Sequence, residues 1–176
     1  MERKIKGTRA LTLSAVFSAL GVVLLALGSL LQVLDLTMAV LASFLVILAV
    51  IELRGRYPYL IYAVTAVLGL LLCPVKTAPV VYLCFAGYYP IIKARLEAKL
   101  PRVLCWIIKI VIFNAGLALA LFLSIKIFTV LVVPAVWYYF LLPLLTGVFI
   151  LYDIALTRVI TAYVLRWRQR FTFLHK

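Results

Sequence analysis

Two ionisable residues, Lys109 and Asp153, lie inside otherwise apolar runs. Lys109 follows Arg102 by seven residues, so in a helix it lies roughly 10 Å beyond that charged end. We expect Asp153 to lie at a similar depth relative to the basic end of the last apolar run. A charge at such depth costs at least about 2.5 kcal/mol unless it is paired. Equal depth and opposite sign predict one intramembrane ion pair, with either a structural role or a coupling or gating role.

Residue types for metal and hydrolytic chemistry are scarce. The only histidine is His175, and the three cysteines have no metal-ligand spacing. The chain contains no phosphate-binding loop, HExxH motif or nucleophile elbow. We therefore expect no metal site, no cofactor and no enzymatic activity. If the protein takes part in active transport, another subunit must supply the energy.

A set of polar and aromatic residues is predicted at one membrane level, on the sparsely charged side. Lys76 and Thr77 lie in a proline turn between Pro74 and Pro79. Such a stiff turn either holds an anionic ligand group on Lys76 or carries a solvated charge. The residues that together would suit a small organic ligand are Asp35, Lys76, Thr77, Tyr82, Trp137 and Tyr138.

Asn114 lies five residues beyond Lys109, near the predicted bilayer centre. An amide at that depth needs hydrogen-bond partners. It either bonds the backbone of a neighbouring helix or lines a polar cavity open to the outside, in which case it joins the ligand-binding set.

The first apolar run contains a ridge of small side chains. Ala15 and Ala19 are four residues apart, and so are Ser14 and Ser18. Helices in lipid pack through such ridges because small residues let the backbones approach closely. The ridge either packs within the chain or docks a separate membrane partner through Ala15 and Ala19.

The elements that carry these residues are apolar runs. Hydrophobic residues make up 68% of the 176 residues, against about 45–50% in a soluble domain, so the excess must face lipid. A basic head, 1–9, precedes the first run, which we interpret as a retained helix rather than a cleaved signal peptide. The predicted runs are 10–31, 36–53, 59–73, 80–92, 103–128 and 140–165, with a basic tail at 166–176.

The basic residues fix the predicted orientation. Nearly all Lys and Arg lie in alternate connections: the head, the 54–56 turn, the 93–102 link and the tail. The positive-inside rule places those connections in the cytoplasm. We therefore predict an all-α, polytopic integral membrane protein: one domain, 1–176, of six transmembrane helices in a single bundle, with both termini cytoplasmic. The same placement of the +13 net charge argues against nucleic-acid binding.

The 93–102 link has apolar and charged residues at amphipathic spacing, directly after Pro90. It is predicted to lie in the membrane interface, with Pro90 kinking the preceding helix end. Its role is either a surface anchor or a coupling surface for a partner.

Six short helices, a basic head, the Ala15–Ala19 spacing and the chain length together resemble the substrate-binding S component of energy-coupling factor (ECF) vitamin transporters. The resemblance implies a bacterial multi-pass protein of the cell membrane. It also implies docking of Ala15 and Ala19 on a transmembrane coupling subunit that is driven by cytoplasmic ATPases. A small micronutrient would bind near the outer face, around Asp35, Lys76, Thr77 and the aromatic pair Trp137–Tyr138.

The alternative is a non-transporting membrane scaffold, similar to the cell-shape protein family MreD. Such a protein holds membrane partners through small-residue faces and needs no ligand pocket. A polar outer cavity that retains a vitamin-sized molecule favours the transporter. An outer half filled by side chains favours the scaffold. A membrane enzyme would need clustered acidic or histidine residues, whereas the five acids are scattered.

Overall fold

The structure is a computed structural model that describes residues 7–31, 34–53, 55–126 and 135–167. The chain divides into two compact units, one of residues 4–132 and one of residues 133–176 with 1–3. Almost all described residues are helical. The helices are α1 (Thr8–Leu31), α2 (Asp35–Glu52), α3 (Tyr57–Leu72), α4 (Thr77–Val81), α5 (Tyr89–Lys99), α6 (Arg102–Lys126) and α7 (Ala135–Ala162), with π-helical turns at Tyr82–Ala86 and Tyr163–Trp167.

Several helices suit a bilayer in length and composition. Within the described residues, four stretches are long and apolar enough to cross a membrane, and the apolar helix α3 is shorter. Large apolar side chains on these helices are exposed, among them Leu71 at 72% and Val103 at 75%. Such a surface is typical of a membrane-embedded protein. The all-helical prediction is confirmed, while six crossings and cytoplasmic termini remain predictions. The four stretches are Thr8–Leu31, Asp35–Glu52, Val103–Leu123 and Pro143–Leu165.

In the first unit, α1 packs against α2 and α3. Small residues set the spacing, because a Cβ added at Gly21 would lie 2.8 Å from Thr65 Cγ2 of α3. A Cβ at Gly28 would lie 2.8 Å from Met38 Cβ of α2. These glycines let the helix backbones approach closely, as is usual for helix pairs in lipid.

The segment after α3 departs from the sequence prediction. The expected turn at 74–79 is shorter, because helix resumes at Thr77 and Pro79 fits into its first turn. Pro90 likewise lies in the first turn of α5, where a missing N–H costs no helical hydrogen bond. The expected interfacial link begins as part of α5, and Lys93 within it is only 1% exposed.

The second unit is described from α7 onwards. This helix contains Pro143 in its interior and ends in the π-helical turn Tyr163–Trp167. The Thr157 hydroxyl donates to the Asp153 carbonyl oxygen at 2.9 Å, and the Asp153 residue is 2% exposed. Asp153 is therefore buried by protein atoms, while its predicted depth in a membrane stays a prediction.

Candidate functional site

The polar residues at the α3–α4 turn form a hydrogen-bonded group, here called the turn cluster: Ser29, Asp35, Lys76 and Thr77. The Ser29 hydroxyl donates to the Val75 carbonyl oxygen at 3.0 Å and accepts from the Val75 N–H at 2.8 Å. The Thr77 hydroxyl donates to Asp35 Oδ2. These contacts tie the end of α1 and the start of α2 to the same turn.

Lys76 points back to the helix that precedes it. Its ammonium donates to the carbonyl oxygens of Leu70 at 2.8 Å and Cys73 at 2.5 Å. These acceptors lie at the C-terminal end of α3, which carries partial negative charge and carbonyls without helical partners. Lys76 therefore stabilises a helix end, a role that differs from the two predicted from the sequence.

Asp35 has one buried carboxylate oxygen without a described hydrogen-bond partner. Asp35 is the first residue of α2, where the helix dipole favours negative charge. Oδ2 accepts from Thr77, whereas Oδ1 is buried and has no hydrogen-bond partner among the described residues. A buried acceptor without a donor is costly. A ligand N–H or O–H at this oxygen would remove that cost.

The other predicted ligand residues differ in their surroundings. Tyr82 is fully buried in the π-helical turn Tyr82–Ala86. The Asn114 side-chain amide donates to the Ile110 carbonyl oxygen of its own helix at 2.9 Å. Trp137 and Tyr138 lie within α7, but their side chains are outside the described residues. Of the predicted set, the structure thus brings Asp35 and Thr77 into direct contact.

The aromatic group around the π-helical turn was not predicted from the sequence. The Tyr62 hydroxyl of α3 donates to the Leu83 carbonyl oxygen at 2.9 Å. The Tyr62 ring lies 6.1 Å from the rings of both Tyr82 and Tyr88. A π-helical turn leaves backbone groups outside the α-helical ladder and often marks a functional site. The sequence gives little indication of this group, because Tyr62 and Leu83 are far apart in the chain and come into contact only in the folded structure.

The small-residue ridge of α1 divides into two faces. Ser14 and Ser18 are buried, and their hydroxyls donate to the carbonyl oxygens of residues four positions earlier. The Thr65 hydroxyl of α3 lies 3.4 Å from the Ser18 carbonyl oxygen. Ala15 and Ala19 are exposed. The serines thus pack within the chain, and the two alanines stay accessible on its surface.

Two buried lysines meet one carboxylate where α5 faces α6. Glu97 Oε1 lies 3.2 Å from Lys93 Nζ and 2.6 Å from Lys109 Nζ. The Lys109 ammonium also lies 5.3 Å from the centre of the Trp106 ring. Glu97 was not singled out from the sequence, where it reads as a surface charge. The predicted Lys109–Asp153 pair concerns residues of different units and stays a prediction.

The comparisons with known proteins leave the chain without a family assignment: no family model, no curated protein and no solved structure matches it. The class is therefore defined by the fold alone. It is an all-helical protein whose long apolar helices suit a membrane.

Proposed function

We propose that this protein is a multi-pass subunit of a bacterial plasma membrane that acts through a larger membrane partner. Specifically, it would be the substrate-binding S component of an ECF-type transporter. The partner would be a transmembrane coupling subunit with cytoplasmic ATPases. The subunit itself would bind a small organic micronutrient without catalysing a reaction.

The observation that carries the proposal is the division of α1 into two faces. Ser14 and Ser18 are used for packing within the chain, whereas Ala15 and Ala19 are exposed on a helix suited to lipid. Small exposed side chains at a four-residue spacing allow a second helix to approach closely. The alanines are therefore suited to contact a membrane partner.

The ligand part of the proposal depends on Asp35. Its buried Oδ1 has no described hydrogen-bond partner, and it lies at the turn cluster, on the side predicted to face outwards. A ligand with an N–H or O–H group near its end would donate to this oxygen. Asp35→Asn should then weaken ligand retention and leave partner binding unchanged.

The docking surface can be tested by partner capture from the native host in mild detergent. Ala15→Trp and Ala19→Trp place a bulky ring on the exposed face and should reduce the co-purified partner about tenfold or more. Such a loss corresponds to roughly 1.4 kcal/mol of binding free energy. Leu20→Trp is the matched control, because Leu20 is 47% exposed and is turned by about 100° from Ala19. Equal capture by all three variants would remove the docking proposal.

A second candidate, a scaffold similar to MreD, is favoured by the turn cluster itself. Ser29, Lys76 and Thr77 all hydrogen-bond within the chain, so the cluster is largely satisfied without a ligand. Mass spectrometry of small molecules in the purified complex separates the two candidates. A retained vitamin-sized molecule that is lost in Asp35→Asn supports the transporter. A complex with its partner but without any such molecule supports the scaffold.

A further inference from the structure

A groove of about 280 Å³ lies between the start of α3 and the exposed side of α5. Tyr59 of α3 forms one wall, and the other walls come from α5 and the residue that follows it. The lining residues are Tyr59, Ile92, Arg95, Leu96 and Leu100. The groove is at or below the small end of ligand sites, which hold about 300–1,000 Å³. A groove of this volume therefore suits part of a hydrocarbon chain rather than a whole cofactor.

Among the described residues, the groove combines apolar walls with one cation, Arg95. Ile92 and Leu96 are four residues apart, so they lie on one face of α5, and Leu100, the extended residue that follows the helix, continues the apolar wall. Arg95 is the only charged residue among the five, and it is exposed. Its guanidinium lies 5.0 Å from the centre of the Tyr59 ring. An arginine stacked on an aromatic face keeps its edge N–H groups free to bind an anion.

Within the part of the chain that the structure describes, no acid lines the groove to compete for Arg95. The acid closest in sequence is Glu97, whose carboxylate lies 3.2 Å from Lys93 and 2.6 Å from Lys109. Charge complementarity therefore selects an anionic occupant, and the leucines select one with a hydrocarbon chain. The groove lies at the start of the apolar helix α3. A molecule at that place that carries both an anionic group and a hydrocarbon chain is a lipid.

We propose that the groove binds one anionic phospholipid, with its phosphate on Arg95 and an acyl chain against Ile92, Leu96 and Leu100. This site goes beyond the proposed transport function and does not require it. The groove lies at the basic ends of α3 and α5, where the sequence predicts the cytoplasmic membrane surface. An inorganic phosphate would bind Arg95, but the apolar walls would add nothing to its affinity.

The test measures retention of added lipid by the full-length protein, using native mass spectrometry in detergent. The two probes are dioleoyl phosphatidylglycerol, which is anionic, and dioleoyl phosphatidylcholine, which is zwitterionic. Arg95→Gln should lower phosphatidylglycerol retention about tenfold, as expected for loss of one charge-assisted hydrogen bond. Leu96→Trp fills the groove while leaving Arg95 and Tyr59 in place, and should lower retention similarly.

Two control variants make the same kinds of substitution, arginine to glutamine and leucine to tryptophan, at positions outside the groove. Arg158→Gln removes one exposed arginine from α7, and Leu71→Trp enlarges an apolar side chain that is 72% exposed on α3. Both should retain phosphatidylglycerol like the unmodified protein. Equal retention of the two lipids would overturn the proposal, and so would equal losses in test and control variants. Full displacement by millimolar inorganic phosphate would also overturn it, because a simple anion site would then explain the binding.

Discussion

At the residue scale, the most consequential arrangement is the sharing of Glu97 by Lys93 and Lys109. Both lysines are almost fully buried, at 1% and 3% exposure, whereas the Glu97 side chain is 43% exposed. A buried cation without a counter-charge is strongly destabilising, and removing one partner of a pair costs more than the pair contributes. Glu97 should therefore contribute to stability although it is accessible to solvent.

Glu97→Gln is expected to lower the free energy of unfolding by about 1–3 kcal/mol. This is less than the ~3–5 kcal/mol typical of a fully buried pair, because solvent screens a partly exposed carboxylate. Unfolding in mixed micelles by a denaturing detergent measures the change. Lys109→Met alone and the double variant complete a thermodynamic cycle. If the two effects simply add, the 2.6 Å contact between Glu97 and Lys109 has no energetic weight and the prediction is wrong.

The residue types of the candidate site were predictable, but their partners were not. Asp35 and Thr77 were expected at one level, and the structure places them in contact. Lys76 was expected to face a ligand or solvent, yet its ammonium binds the C-terminal carbonyls of α3. The signal was present, since a lysine a few residues after a helix end is well placed to interact with its dipole. Whether Lys76 binds the helix end, a ligand or solvent depends on the backbone path of the turn, which the sequence does not show.

At the element scale, the π-helical turn Tyr82–Ala86 is packed closely by its neighbours. A Cβ added at Gly116 of α6 would lie 2.6 Å from the Cys84 carbonyl oxygen and 2.9 Å from the Tyr88 hydroxyl oxygen. The first of these atoms is backbone, so it cannot move away as a flexible side chain would. The glycine thus fixes how closely α6 approaches the turn.

Gly116→Ala should destabilise the protein by about 1–3 kcal/mol, the usual cost of overpacking. Gly147→Ala is the matched control, because it lies in α7 and an added Cβ meets no described atom within 4 Å. The control should be neutral or stabilising by up to about 1 kcal/mol, since alanine favours helix more than glycine. Thermal unfolding of both variants in detergent gives the comparison. Equal behaviour would mean that α6 and the turn are not in close contact.

Hydrophobic patterning predicted α1 and α2 well, placed the start of α7 five residues too late, at 140 rather than Ala135, and predicted the interrupted segment poorly. The predicted runs 10–31 and 36–53 correspond to α1 and α2 within two residues at each end. The segment from Thr77 to Lys99 was divided into turn, span and surface link, because its prolines and charges were taken as boundaries. Both Pro79 and Pro90 fall in first turns, where proline is compatible with helix. A π-helical turn depends on tertiary contacts such as that of Tyr62 with Leu83, which no local pattern contains.

At the scale of the whole molecule, the predicted six-span topology depends most on α3. This helix has 16 residues, so it is about 24 Å long, against a hydrocarbon core of about 30 Å. A helix that short crosses only if the bilayer thins locally or flanking residues reach the interface. The residues before it, Gly55 and Arg56, and those after it, Pro74 and Lys76, are polar or turn-forming, as expected for two membrane surfaces.

If α3 crosses the membrane, positions at its two ends must react from opposite sides. The native Cys73, Cys84 and Cys105 are buried and would be replaced by alanine, with Arg56→Cys or Pro74→Cys then added singly at an exposed position. A membrane-impermeant maleimide applied to intact cells should label Pro74→Cys and leave Arg56→Cys unlabelled until the cells are opened. This order follows from the positive-inside rule, because Arg56 belongs to a basic connection and Pro74 does not. Labelling of both positions from the same side would show that α3 does not cross, and the number of spans could then no longer be six.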